Sequence, residues 1–308
     1  MLHAVVLGAA AGGGFPQWNS NAPGCRRARA GDPGARARTQ ASLAVSANQR
    51  DWFLLNASPD LRSQIEATAV LHPQRGLRSS PIAGVVVTNA DVDAIAGLLH
   101  LRERHQLAVY APRRVLDAIA ANPIFGVLSP DCVSRIELPL DRTIGLAGAA
   151  GGSGLAVCSF AVPGKVPLYL ETAGQDPGTS ETGDTVGLEI IDETAGARLF
   201  FIPGCAAMTD ALRRRIEGAA VVFFDGTLWR DDEMIRAGVG EKTGRRMGHI
   251  SMSGEGGAIA AFRDLGVRRR VFIHINNSNP VLLEDSAERR EAEAVGWEIA
   301  YDGMELRL

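Results

Sequence analysis

A chain of 308 residues, 46% apolar and 22% charged, can bury a substantial core, as one large α/β domain or as two small ones. Its formal net charge of −3 gives no general pull toward nucleic acid or an anionic membrane. The sequence holds no run of about 18 apolar residues able to span a bilayer.

The N-terminal MLHAVVLGAAAGGG has a short apolar run without a basic flank, so it reads as a first strand and a glycine turn, not a signal peptide. CRRARAGDPGARAR (25–38) lacks interleaved aromatics and reads as a solvated loop rather than a polyanion site. Strands are expected at 3–8, 41–47, 52–57, 84–88 and 106–111, then at 155–162, 186–192, 197–203, 219–225 and 269–275, with WEIAYDG and MELRL closing the chain. Helical periodicity marks 58–68 (with Ser58 as its N-terminal cap), 93–104, 112–122, 209–219, 253–266 and 283–296. AGGSG (150–154) reads as a turn and AGQDPGTSETGD (173–184) as a flexible surface loop of the length at which loops are often functional. The order is strands, a helix and more strands, repeated in a second half without regular βαβ alternation. That disfavours a doubly wound nucleotide fold and predicts two sheets packed face to face and flanked by helices. No composition break marks a domain boundary, and one domain over 1–308 is expected. The four cysteines, Cys25, Cys132, Cys158 and Cys205, follow no CxxC spacing, which suits free thiols in a reducing cytoplasm.

Acids and histidines recur at strand ends, where a rigid scaffold brings catalytic groups together. Asp91 and Asp93 follow strand 84–88; they either cap the next helix or serve a site. Asp225 ends the very apolar VVFFD, which favours a site over a cap. His249 lies in RRMGHIS, as a site residue or a backbone-bonded loop residue. His274 closes VFIHINNSNP, whose polar NNSNP is out of place for plain packing and brings in Asn276 and Asn277 as candidates for binding substrate. His3, His72 and His105 sit in poorer contexts, and His100 lies two helical turns past Asp93, roughly 10 Å along the axis.

Long blocks of the chain carry a specific resemblance: GAAAGGGFPQWN (8–19), RTQASLAVS (38–46), LLNASPDLRSQI (54–65), FFDGTLWRDDEM (223–234), AGVGEKTGRRMGHI (237–250) and HINNSNPVL (274–282). Together they resemble the PqqB family of pyrroloquinoline quinone (PQQ) biosynthesis, within the metallo-β-lactamase fold superfamily. The resemblance implies an α/β fold, the αββα metallo-β-lactamase-like sandwich. It also implies iron-dependent hydroxylation of the tyrosine ring of a cross-linked Glu–Tyr precursor of PQQ, with O₂ as co-substrate. Carriage of PQQ or its precursor by a non-catalytic paralogue, and metal-dependent hydrolysis, are the alternatives.

The superfamily's metal turn reads His-x-His-x-Asp-His, and laid on this sequence it gives Asn89, Asp91, Asp93 and Ala94. The family keeps the final Asp-His; here Asp93 stands and Ala94, which has no donor atom, replaces the histidine. The resemblance implies metal ligands at Asp93, Asp225 and His274, with Asp91 and His249 nearby. Asp93, His249 and His274 would make the two-histidine, one-carboxylate catalytic set of non-haem Fe(II) oxygenases, and so many carboxylates favour Fe(II) or Mn(II) over Zn(II). Affinity is expected to be weakened by Ala94. The family's Cys-x-Cys-x-x-Cys structural zinc motif maps onto Ser20, Ala22 and Cys25, so two thiolates are missing. Structural zinc is expected to be absent and Cys25 to be a free thiol. Lys165, in VPGKVPLYLE (162–171), either pairs a substrate carboxylate in the cleft or is exposed to solvent. The expected partners are the small Glu–Tyr-derived precursor and O₂, with no nucleic acid and no membrane, in the cytoplasm. The oligomeric state stays open, a homodimer included.

Overall fold

The computed structural model describes residues 1–148, 151–171 and 182–308. Positions 173–181 of the expected surface loop, and Ala150 of the expected turn, lie outside the described residues. In chain order the first strands are β1 (His3–Gly8), β2 (Ser42–Ser46), β3 (Trp52–Leu55), β4 (Ile82–Val86), β5 (Leu107–Ala111) and β6 (Val133–Glu137). They are followed by β7 (Thr143–Gly148), β8 (Gly151–Ala161), β9 (Val186–Asp192), β10 (Arg198–Ile202), β11 (Val221–Asp225), β12 (Arg269–Ile273), β13 (Trp297–Ile299) and β14 (Glu305–Arg307). They form two mixed sheets, ordered β14-β1-β2-β3-β4-β5-β6 and β13-β12-β11-β10-β9-β8-β7. The last strand thus returns to pair with the first.

The inner faces of the two sheets share one core. Leu43, Val45, Phe53 and Leu55 from the first sheet meet Leu188, Ile190, Phe201 and Phe223 from the second. Outward-pointing residues of the same strands build two further clusters: Val85 and Val109 lie with Val115 and Ile119 of one helix layer, and Val222 and Phe224 with Leu212 and Ile216 of the other. Strands buried on both faces read as unbroken apolar runs, which is why VVFFD shows no alternation. The four layers are the αββα sandwich.

Several local expectations are corrected. Residues 151–154 open β8 rather than forming a turn. Two strands went unread, β6 and β7. β6 exposes Ser134, Arg135 and Glu137 at a sheet edge, and glycines interrupt β7, so neither carries an apolar signature. The arginine segment is only in part a solvated loop: Pro23–Arg29 is helical, Arg27 Nη1 and Nη2 each donate to Asp285 at 2.9 Å and Arg38 is buried against the Ala300 carbonyl, whereas residues 30–37 follow as a loop with Arg36 exposed. The helix expected at 253–266 shrinks to Ala258–Ala261, because Gly254, Gly256 and Gly257 disfavour its first turn. Ser58 does not cap the helix Leu61–Ala67; its hydroxyl donates to Gln64 Oε1 at 3.0 Å and accepts from the Asp60 N–H. The stretch 93–104 starts as an α-helix (Val92–Ile95) and tightens to 3₁₀ (Ala96–Leu101). There Gly97 presses against the backbone of Ala57 and Ser58, where a Cβ would lie 2.1 Å from the Ser58 carbonyl oxygen.

Candidate metal centre

Three strand ends converge on one edge of the sandwich. Asp225 is the last residue of β11, His274 follows β12, which runs parallel to β11, and Asp93 lies just past β4 of the other sheet. The Val186 N–H, at the start of β9, donates to the Thr88 carbonyl and ties the two sheets together there.

After β4 the Asn89 side chain accepts the Asp91 N–H at 2.9 Å, which tightens the turn. Neither acid then serves as a cap. Asp91 makes no side-chain cap bond and instead takes the Lys165 ammonium at 3.2 Å, whereas Asp93 Oδ2 meets His274 Nε2 at 2.9 Å. Gly12, from the first glycine turn, lies so close that a Cβ would sit 3.3 Å from Asp93 Oδ2.

Asp225 is fully buried, and both its carboxylate oxygens are engaged by neighbouring groups. Oδ2 accepts the Cys205 N–H at 2.9 Å and faces His249 Nδ1 at 2.7 Å, while Oδ1 accepts the N–H and hydroxyl of Thr227 at 3.0 and 2.7 Å. Thr227 Oγ1 also contacts Nδ1 of both His249 (3.1 Å) and His274 (2.9 Å) and the His274 carbonyl (3.0 Å). The two imidazoles stack with centroids 5.1 Å apart. His274 adopts φ 58°, a left-handed conformation costly for a residue with a Cβ, and is held there by these contacts. Asp225, His249 and His274 each present a donor atom within 4.8 Å of the others.

Charge and burial compete at each group. Burial disfavours the His274 imidazolium, but the hydrogen bond and charge of Asp93 outweigh it, so its pKa rises above the ordinary histidine value. Burial likewise opposes the Asp93 carboxylate, and His274 reverses the balance and holds its pKa low. At Asp91 burial wins over the attraction of Lys165, and the pKa is raised.

All these groups except Asp225 line one cleft of about 480 Å³, with Thr227 and Ala94 in its wall. Lys165 lines it too, already paired with Asp91. Asn276 is also a lining residue, its amide donating to Ser278 Oγ at 2.6 Å. Asn277 stands behind the lining, where its side chain donates to Gln17 and accepts from Cys25 Sγ at 3.7 Å. Sequence reasoning gave no part to Thr227, Gly12, Arg246 or Glu233. The Asp-Gly-Thr that ends β11 is the one local signal for Thr227, since a hydroxyl two residues past an acid can fold back on it.

Glu233 braces the loop beyond His274. Its carboxyl accepts the Trp229 N–H at 2.7 Å and bonds Ser278 Oγ at 2.6 Å, and burial, which these bonds only partly oppose, pushes its pKa up to about 7. The folded state therefore holds this proton more tightly than the unfolded chain. The group's contribution to stability is full below about pH 4.5 and is lost as pH rises through about 7. Over that window it is expected to remove up to about 3 kcal/mol, and Glu233→Gln to flatten the dependence. Urea unfolding of both proteins at about pH 5 and about pH 8 checks this; parallel slopes would refute it.

A domain family described as Beta-lactamase superfamily domain matches residues 51–275. Coenzyme PQQ synthesis protein B of Gluconacetobacter diazotrophicus is 59% identical, with 99% of each chain covered, and its counterpart in Methylobacterium sp. (strain 4-46) is 55% identical over all of both chains. The chain belongs to the PqqB family of the β-lactamase superfamily. The crystal structure of Zn(2+)-bound PqqB from Methylobacterium extorquens superposes with a TM-score of 0.95 at 52% identity, covering 99% of this chain and 100% of that one. A diphosphatase from the PhnP family shares the fold, with a TM-score of 0.70 at 17% identity, covering 100% of this chain and 98% of that one.

The N-terminal loop is tied by protein groups. Arg29 donates to the carbonyls of Ser20 (2.5 Å) and Gln17, the Ser20 hydroxyl accepts the Ala22 N–H at 3.3 Å, and Cys25 is a buried free thiol. Cys132, Cys158 and Cys205 are buried free thiols as well. Among the described residues, no helix is long and apolar enough to cross a membrane.

Proposed function

We propose that the protein acts in coenzyme PQQ synthesis as an iron-dependent hydroxylase of the tyrosine ring in a cross-linked Glu–Tyr precursor. The observation that carries this reading is the gathering of Asp225, His249 and His274 at the wall of a cleft in a PqqB-family chain, with both histidines lining it, Asp225 buried behind them and Asp93 against His274. Two imidazoles and carboxylates fit a divalent cation of the Fe(II) or Mn(II) type, and the Methylobacterium extorquens relative is Zn(2+)-bound. His249, His274 and Asp225 would hold it, with Asp93 as the further carboxylate; Ala94 gives nothing. A ferrous ion there would supply the O₂ chemistry, one oxygen atom entering an aromatic C–H bond and the other leaving as water, with two electrons from an external reductant.

The chain's own residues do the rest. Asp93 and His274 share a proton that a cation would displace, so affinity should fall as pH falls. Asp225 fixes the orientation of the His249 ring through Nδ1. Lys165 neutralises Asp91, which keeps that carboxylate from repelling an acidic substrate. Leu168, Tyr169 and Met247 line the cleft and would limit water around the ring.

Ala94 favours a second reading, a family member that binds or carries PQQ or its precursor without catalysis. Anaerobic Fe(II) titration followed by oxygen uptake with the cross-linked Glu–Tyr substrate separates the two. One iron bound at micromolar affinity or better, with uptake matched by a hydroxylated product, is the expected result. Substrate binding with neither iron nor uptake would leave the carrier reading in its place.

A further inference from the structure

The cleft contains cations that the metal chemistry does not use. Arg246 lies on the 3₁₀ turn Arg245–Met247, three residues before His249, with Gly248 between them at φ 84°. Glycine is needed there twice over, for its φ and because a Cβ would lie 3.0 Å from Lys165 Cγ and 3.3 Å from the Lys165 backbone nitrogen. The turn carrying Arg246 and His249 is therefore packed onto the segment carrying Lys165. Arg246 Nη2 reaches Glu171 at only 3.5 Å, and Nη1 is buried with no hydrogen-bond partner among the described residues. A buried guanidinium N–H left unpaired is destabilising, and such groups in a cleft wall are suited to a ligand. Lys242 lines the same cleft and has no ion-pair partner among the described residues.

We infer that Arg246 is the anchor for a carboxylate of the substrate, with Lys242 as a second positive charge beside it. The inference deepens, and rests on, the reading that the cleft takes the acidic Glu–Tyr-derived precursor. The planar guanidinium offers Nη1 and Nη2 to the two oxygens of one carboxylate, a fit that an ammonium lacks. The incoming carboxylate satisfies Nη1 and competes with Glu171 for Nη2. Because Arg246 and His249 share one short turn, a carboxylate fixed on the first sets which edge of the ring faces the second. Arg246 is thus a specificity residue that touches substrate and contributes no metal ligand.

The test uses the full chain without metal, so it does not depend on iron or turnover. The cross-linked Glu–Tyr amino acid and its methyl esters are titrated calorimetrically into wild type, Arg246→Gln and Arg246→Lys. Wild type should prefer the acid, Arg246→Gln should lose roughly 10- to 100-fold for the acid and almost nothing for the ester, and Arg246→Lys should recover part of the loss. An acid-to-ester ratio unchanged in both variants, with wild-type circular dichroism, would overturn the anchor and leave the precursor reading intact. If wild type binds neither acid nor ester, the precursor reading falls and the anchor falls with it.

Discussion

Ala94→His should bind Fe(II) at least tenfold more tightly than wild type, and His274→Ala roughly 100-fold or more weakly. Loss of even an outer-shell partner commonly costs 10- to 100-fold in metal affinity, and a direct ligand costs more. Ala94 is almost fully buried beside Ala90, Ile95 and Leu98 yet contributes to the cleft wall next to Asp93, and the prediction is that an imidazole there reaches into the cleft. Removing the His274 ring has three effects together. It deletes a donor, it strips Asp93 of the partner that holds its pKa low, and it leaves Thr227 without one of its imidazole contacts. Anaerobic calorimetry on the three proteins provides the measurement. Equal affinities for wild type and His274→Ala would remove His274 from the ligand set, and an unimproved Ala94→His would mean that position 94 does not face the cation.

Thr227→Val should be the most damaging isosteric change in the centre. Valine keeps the shape but removes an oxygen that contacts Asp225, both histidines and the His274 carbonyl. Asp225 then loses a short hydrogen bond in a fully buried site, and each imidazole loses a constraint on its orientation. We expect a stability loss of about 2–3 kcal/mol, since hydrogen bonds to charged groups are stronger than neutral ones. Fe(II) affinity should fall roughly 10- to 100-fold, with most of both recovered by Thr227→Ser. Denaturant midpoints and iron titration read the two effects separately. A valine variant as stable and as avid as wild type would reduce Thr227 to a bystander.

Much of the sandwich was legible because its strands are buried on both faces. Runs such as VVFFD and LFFI resemble little else when Gly, Asp or Pro punctuates them, and the acid at the end of VVFFD stood out against them. The convergence of Asp93, Asp225, His249 and His274 was legible only by family resemblance. Parallel pairing brings β11 and β12 ends together, but nothing in local pattern says that the turn after β4, in the other sheet, meets them. Thr227 was invisible for a related reason, since a threonine's use is decided by what surrounds its hydroxyl. The helix Pro23–Arg29 was hidden by its arginines, which looked solvated until Asp285, distant in sequence, was in place beside Arg27. β6 and β7 carry too few apolar residues to announce themselves, as edge strands commonly do.

The arginine ties of the N-terminal loop have a bearing on how the protein meets its surroundings. Coordination by thiolates depends on metal supply, on pH and on the redox state of sulfur. A guanidinium keeps its charge across the biological pH range and is neither chelated nor oxidised. With Arg29 donating to the carbonyls of Gln17 and Ser20, and Gln17 lining the cleft, these contacts that hold one wall of the site draw on neither a metal nor a thiolate.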